Sequence, residues 1–407
     1  MVMHIRFLPT FLFITIAAAD VVHIGNPACD DIREHVQCLP RKLARAPGIG
    51  FYLAAEYGTV SISFHNGTTI DVARVEAHPD FTSLMDILAL EGNCVRPTAR
   101  TPLDRLYRRL ENSRRERNKS LGQPASYASS LFAHMFAALR HEASIALNAR
   151  ITHALVTLPP LPGLQSDDLL DAASHVGITL LHGFSHGSRT APRADISTLL
   201  TAAYAGVGLG LCEKYTDAAA CRAEEAELDA DAADSQRDLG VLRISLDERT
   251  LGIDAERCAS AAACVGGKDG KDLHDMGFLS EIHKWNPDRY WTTVQKHITD
   301  AGERLGARGV DALILHGESV REPEFLVKLV EALPGLPGGS TIADKLKSGV
   351  EENRWDRDPM FLPSRGAAAL AKRVQAGQRL YDDQKACMRA RPKLAFDGIR
   401  AQRPSSW

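Results

Sequence analysis

The sequence predicts an α/β fold with parallel strands, on three observations. Residues 49–72 read as strands turned tightly at His65-Asn66-Gly67. Between residues 129 and 181 a helical stretch, a short buried strand, a second helix and a second strand follow one another. A buried strand at 309–315 is then followed by a helix at 324–333. Helices that alternate with short apolar strands cover the faces of a sheet, and parallel strands need such crossovers.

The elements follow in order. His4 and Arg6 precede an apolar run over residues 7–16, and Ala17-Ala18-Ala19 precede Asp20. Charge, apolar core and small residues in that order predict a signal peptide, residues 1–19, cleaved after Ala19. About ten apolar residues are too few for a hydrocarbon core that needs roughly twenty. No later stretch approaches that length, and Arg403-Pro404-Ser405-Ser406-Trp407 is neither a retention tetrapeptide nor a lipid-anchor signal. The expectation is a secreted protein with no membrane anchor.

In residues 49–72, Tyr57, Val60, Ile62 and Phe64 stand among small or polar residues, and Asn66-Gly67 suits a hairpin turn. Residues 103–121 carry Arg105, Arg108, Arg109, Arg114, Arg115, Arg117 and Lys119, interrupted by Asp104, Glu111 and Glu116. That mixture reads as a solvated helix face rather than a binding patch. Residues 129–148 are apolar at helical spacing and lead into a strand at 151–158, which Pro159 and Pro160 stop. A helix at 169–176 ends at Gly177 before a strand at 178–181. Residues 199–211 are small and apolar, and 212–238 turn acidic and alanine-rich. Strands at 241–246 and 250–253, a glycine loop at 266–270 and an amphipathic helix at 287–305 complete the series.

A chain of 407 residues can build two or three packed units, and 44% hydrophobic residues argue against general disorder. A formal charge of −3 with interspersed signs gives no footprint for nucleic acid. The expected partner is a protein or small molecule that the residues do not name. Eight cysteines in an oxidising compartment form an even set. Short-range couples suggest Cys29 with Cys38, Cys212 with Cys221 and Cys258 with Cys264, leaving Cys94 and Cys387 to pair across the chain, as one of 105 connectivities. Zinc would need Cys-x-x-Cys spacing, which is absent. Asn66 and Asn118 head glycosylation sequons.

Other chemistry is suggested more locally. Gly183-Phe184-Ser185-His186-Gly187 satisfies the G-x-S-x-G nucleophile elbow, with Asp247 or Asp311 and then His316 available as partners of Ser185 in a secreted esterase. No His-Gly oxyanion segment precedes it, and Pro192 interrupts the helix that should follow. Asp229, Asp231 and Asp234 hint at a calcium loop, but the required glycine and closing glutamate are missing. Trp285, Tyr290 and Trp291 near His283 suggest a carbohydrate groove, against which packing is the simpler reading.

Three stretches in order resemble the nucleotide-binding domain of the seventy-kilodalton heat-shock chaperones, a branch of the actin-like ATPase superfamily. The first runs from Met135 through Ala154-Leu155-Val156-Thr157-Leu158-Pro159 to Asp171-Ala172-Ala173 and Val176-Gly177-Ile178. The second, residues 313–323, resembles the family's L-V-G-G-S-T-R-I-P turn; the third, Asp358-Pro359 to Gly366-Ala367-Ala368, resembles N-P-x-x-x-x-x-x-G-A-A. The resemblance implies a two-lobed actin-like, ribonuclease-H-like α/β fold with an interlobe cleft. It places an extension at 20–46, a first lobe at 47–200, an acidic insertion at 201–240, a second lobe at 241–357, a closing helix at 358–386 and a tail at 387–407.

The resemblance also implies ATP or ADP with magnesium as cofactor, held by Gly58 and Thr59 of a first hairpin, Asp247 and Thr250 of a second, and Gly317, Ser319 and Arg321 of an adenosine turn. Much of that grip is eroded. The family's D-L-G-T-T falls near Ala55-Glu56-Tyr57-Gly58-Thr59-Val60, where anchoring on Glu56 to Thr59 turns the acid into glutamate, and counting back from Asn66-Gly67 removes acid and glycine together. Ser245-Leu246-Asp247-Glu248-Arg249-Thr250 replaces D-x-G-G-G-T, Glu318 stands at a glycine, Met360 at an acid, and Phe184-Ser185-His186-Gly187 lacks the catalytic glutamate. The expectation is a degenerate member that acts by binding or structure and needs no cofactor. A weak ATP-binding protein or ATPase and a secreted esterase using Ser185 are the alternatives.

Overall fold

The computed structural model describes residues 39–40, 43, 45–90, 102–181, 197–213, 216–217, 220–221, 224, 238–258, 264–265, 271–274, 276–351, 357–377 and 380–381. It is a mixed α/β structure in which two mixed sheets carry the chain. Beside them, β1 (Leu39–Pro40) and β13 (Leu380–Tyr381) form a short parallel pair.

The first sheet starts as an antiparallel meander of β2 (Gly48–Leu53), β3 (Tyr57–Ser63) and β4 (Thr69–Glu76). The Asn-Gly turn lies between β3 and β4: Gly67 adopts φ +83°, and the Asn66 Oδ1 accepts from the Thr68 N–H at 3.0 Å. The stretch read as strands holds three, because β2 precedes Ala54-Ala55-Glu56 as a separate strand. β5 (His153–Leu158) runs parallel to β2, and β6 (Thr179–Leu180) and β7 (Ser197–Thr198) both run parallel to β5. The strand order is β4-β3-β2-β5-β6.

Strand alternation gives this sheet two different faces. Phe51, Leu53, Val60 and Ile62 pack into a core with α1 (Pro79–Leu90), α3 (Tyr127–Leu147) and α4 (Ser166–His175), where Phe136 stacks on Phe51 at 6.2 Å. A capping box joins Ser126 and Ser129 at the start of α3, and left-handed Asn148 caps its end. Helix α2 (Pro102–Ser120) lies before α3. The other face carries Gly48, Gly50, Thr59 and Ser61, and α10 (Leu362–Gly377) lies directly on it. Thr59 and Ser61 hydrogen-bond Ser364 of that helix at 3.0 and 2.8 Å.

The second sheet repeats the plan. β8 (Leu239–Leu246) and β9 (Thr250–Cys258) form an antiparallel hairpin, β10 (Cys264–Val265) and β11 (Lys271–His274) pair with the outer edge of β9, and β12 (Ala312–His316) runs parallel to β8. One face, with Leu242, Ile244, Leu246 and Leu251, packs on α7 (Pro287–Glu303), α8 (Pro323–Ala332) and α9 (Gly339–Glu351). Tyr290 and Trp291 belong to this core, so the packing reading of those aromatics holds for them, while Trp285 at the end of α6 (Glu281–Trp285) is exposed.

The opposite face carries Val241, Arg243, Ser245 and Ile314. It meets α10 and α5 (Leu199–Gly206) in a third core that also takes Leu155 and Leu181 from the first sheet's side. The fully buried Arg243 guanidinium bonds Asp254, Ser245 at 3.1 Å and the His316 Nε2 at 2.9 Å. Disulfides join Cys212 to Cys221 and Cys258 to Cys264, as the couples suggested. Cys29, Cys38, Cys94 and Cys387 lie outside the described residues.

Candidate functional site

The tips of the two hairpins face each other. In the first, Ala54 and Tyr57 close the turn through an N–H to carbonyl bond of 2.9 Å; in the second, Asp247 and Thr250 do the same at 2.9 Å. The second tip is held from behind by residues 277–279. The N–H groups of Gly277, Phe278 and Leu279 donate to the carbonyls of Arg249, Asp247 and Glu248. The loop after β12 joins from a third side, where Ser319 N–H donates to the Leu246 carbonyl at 2.8 Å. Gly317, at φ +112°, makes that approach possible: a Cβ there would stand 2.6 Å from the Leu246 carbonyl and 2.9 Å from Asp247.

Side chains then close the seam. The Tyr57 hydroxyl donates to the Asp247 Oδ1 at 2.8 Å, and the same oxygen accepts the Glu318 N–H at 2.9 Å. Arg74 lies over the Tyr57 ring at 4.9 Å and bonds Glu318 at 2.9 Å; Arg249 bonds Asp86 at 2.9 Å. Glu56 lies beside Arg249, while its Oε2 is buried with no hydrogen-bond partner. Tyr52, Ala54, Tyr57 and Leu199 form a small apolar cluster here, against which Met360 packs. Tyr52 also meets the His316 ring edge-on at 5.9 Å.

The electrostatics follow from burial. Burial raises Asp247 to about 6, against the hydrogen bonds from Glu318 and Tyr57 that favour its charge. Burial, then the neighbouring Asp247 and Glu248, raises half-buried Glu56 to about 7. Tyr57 is held well above the usual phenol range by burial and Asp247, so it stays a donor. Burial, then Arg243, pushes His316 well below the usual imidazole range.

The space left between the tips, lined by Tyr52, Ala54, Ser245, Asp247 and Thr250 among others, is a cavity of about 10 Å³. That is the room one water needs, whereas small-molecule sites span roughly 300–1,000 Å³. ATP with magnesium does not fit these residues. Its phosphates would meet Glu56 and Asp247, and the Glu318 N–H that faces the seam already serves Asp247.

The sequence-chosen residues are distributed unevenly. Asp247 and Thr250 line the cavity, and Gly317 and Ser319 border it through Asp247 and Leu246. Gly58 sits in β3 opposite Leu53, backed by Met135 and Leu139 of α3; Thr59 is turned to Ser364. Arg321 is exposed and bonds the Arg357 carbonyl at 3.0 Å. Tyr52, Arg74 and Asp86 escape sequence reasoning, since no motif marks them, and Tyr57 reads from the sequence only as a strand residue beside the first hairpin's motif.

Ser185 lies outside the described residues, as do the rest of its elbow and Asp229, Asp231 and Asp234. Its expected partners are engaged elsewhere: His316 Nε2 meets Arg243, its Nδ1 has no hydrogen bond, and Asp311 accepts the Gly240 N–H at 2.7 Å. Comparison with protein-family models and with curated proteins gives no match.

Proposed function

We propose that the chain is a secreted protein with the two-lobed actin-like fold, in which the cleft between the lobes is occupied by the protein's own side chains, and that it acts by binding rather than by turning over ATP. Both sheets support the fold reading: each is a meander whose first strand carries, on its free edge, a parallel strand from later in the chain. Helices α5 and α10 lie between them. The observation that carries the functional reading is the buried Tyr57–Asp247 hydrogen bond across the seam. Asp247 accepts the Glu318 N–H, the kind of donor that grips phosphate oxygens, and Glu56 lies beside Arg249. The protein thus supplies its own anions.

Titration calorimetry and thermal shift with Mg-ATP and Mg-ADP test this directly. No heat and no shift at about millimolar nucleotide is expected, because stabilisation by a ligand requires a free site in the folded state. A thermal shift that saturates, or release of phosphate that scales with enzyme, would put the weak ATP-binding protein or ATPase first.

Secretion is supported by the two disulfides and by the residue order at 1–20. It brings a second expectation in a eukaryotic secretory host. Asn66 is exposed on its turn with the Thr68 hydroxyl bonded to its side-chain oxygen at 2.7 Å, whereas the Asn118 amide donates to the Ala125 carbonyl at 3.2 Å. Glycan occupancy should be greater at Asn66. Intact-mass spectra of Asn66→Gln and Asn118→Gln check this, and equal mass losses from the two would contradict it.

A further inference from the structure

Helix α2 is clamped near its C-terminal end. Arg115, its buried residue, bonds Asp168 at 2.7 Å and Asp171 at 2.6 and 3.0 Å, and Lys119 adds Asp171 at 3.2 Å. The two turns before that clamp present Leu103, Leu106, Tyr107 and Leu110 at 59%, 52%, 64% and 58% exposure. Spacings of three, four and seven residues put the four on one face of the helix. Exposed Arg114 and Arg117 continue that face toward the clamp, and exposed Arg109 stands to one side of it. The helix as a whole is basic, in a chain whose formal charge is −3. The apolar half of this face is what the solvated-helix reading of the sequence leaves unexplained.

Four large apolar side chains exposed together mark a contact surface, and the arginines set the sign of what meets it. A second copy of the chain is a poor fit, because two such helices would bring like charges together. A groove in an acidic protein would need carboxylates in its walls opposite every arginine around the stripe. A layer of anionic headgroups has no such requirement, since phosphates stand wherever guanidinium tips reach and the apolar side chains enter the acyl boundary between them. We propose that α2 docks on an anionic phospholipid surface, lying in its plane, with Leu103, Leu106, Tyr107 and Leu110 inserted and the arginines on the headgroups. Among the described residues no helix is long and apolar enough to cross a membrane, so the contact is peripheral.

The test is flotation of the full chain with vesicles of phosphatidylcholine, with and without phosphatidylserine. Retention by the phosphatidylserine vesicles should exceed that by neutral ones at least about tenfold and fall with added salt. Leu106→Ser with Leu110→Ser, and separately Arg114→Gln with Arg117→Gln, should each lower retention roughly tenfold or more with the melting temperature unchanged, since none of these side chains is buried. Equal retention by neutral vesicles, no retention by either, or retention indifferent to both variants overturns the proposal. So does an acidic protein captured by a photo-crosslinker at position 107 while vesicles fail to bind, which would assign the stripe to a protein groove.

Discussion

Gly366→Ala is expected to destabilise the protein by at least about 3 kcal/mol and to lower its melting temperature by roughly 5 °C or more. A Cβ at Gly366 would overlap the Ala202 carbonyl and stand 2.7 Å from the Gly206 nitrogen, both backbone atoms of α5. On its other side α10 lies against β2, where a Cβ on Gly50 would overlap the Ser364 carbonyl and the Ala368 nitrogen. Helix α10 is therefore gripped at backbone distance from two sides, by a strand and by a helix. Side chains can turn away from an added methyl group; backbone in a packed core cannot. Gly335→Ala is the control, because a Cβ there meets nothing within 4 Å and its φ is not left-handed. It should stay within about 0.5 kcal/mol of the parent. Urea unfolding of the three proteins decides the matter, and equal midpoints for Gly366→Ala and the parent would show that α10 does not sit between β2 and α5 as described.

The same glycine marks what a sequence can and cannot disclose. Gly366-Ala367-Ala368 is visible as a motif, but its partners Gly50 and Ala202 lie far away in the chain, and nothing at position 366 names them. Local periodicity does name the helices that α3, α4, α7 and α8 became, because each turns an apolar stripe to a core at 3.6-residue spacing. It stops short on β9, read as ending at residue 253, because Asp254 and Glu256 look like loop residues until Arg243 is placed beside them. No helix is predicted at α1, α5, α6 or α9. At the seam, Asp247 and Gly317 could be named from spacing, whereas Tyr57 is just another strand aromatic until the fold brings it across 190 positions to Asp247. Arg74 reaches Glu318 over 244. Long-range polar pairs of this kind leave no local trace.

The Tyr57–Asp247 pair makes the second large prediction, that stability falls as pH rises from about 5 to about 8. In the folded protein Asp247 titrates at about 6 and Glu56 at about 7, against ordinary values of 3.8 and 4.5. Across that interval the folded state keeps protons that the unfolded chain has released. The resulting stability is complete below the ordinary values and is lost as pH rises through the folded ones. Glu256, raised to about 7 by burial and then by Asp254, acts in the same sense. His316 opposes them below its ordinary 6.5, since it stays neutral when the unfolded imidazole binds a proton. Lys372, lowered to about 8 by burial, adds stability only as pH rises above that. Three carboxylates outweigh one imidazole.

Asp247→Asn isolates the share of one of them. Its side-chain oxygen can still accept from Tyr57 and from the Glu318 N–H, so the seam keeps its hydrogen bonds without the charge. Between about pH 5 and about pH 8 the parent should lose on the order of 1–1.5 kcal/mol more than this variant, the part of a roughly two-unit displacement that lies above pH 5. Tyr57→Phe should act in the opposite sense. Without its donor the ionised Asp247 is worse solvated, so the loss with rising pH steepens. Urea unfolding across the pH series reads all three slopes. Parallel slopes for the parent and Asp247→Asn would mean that the Asp247 carboxylate is solvated, the seam open, and the space between the hairpin tips large enough to admit a ligand after all.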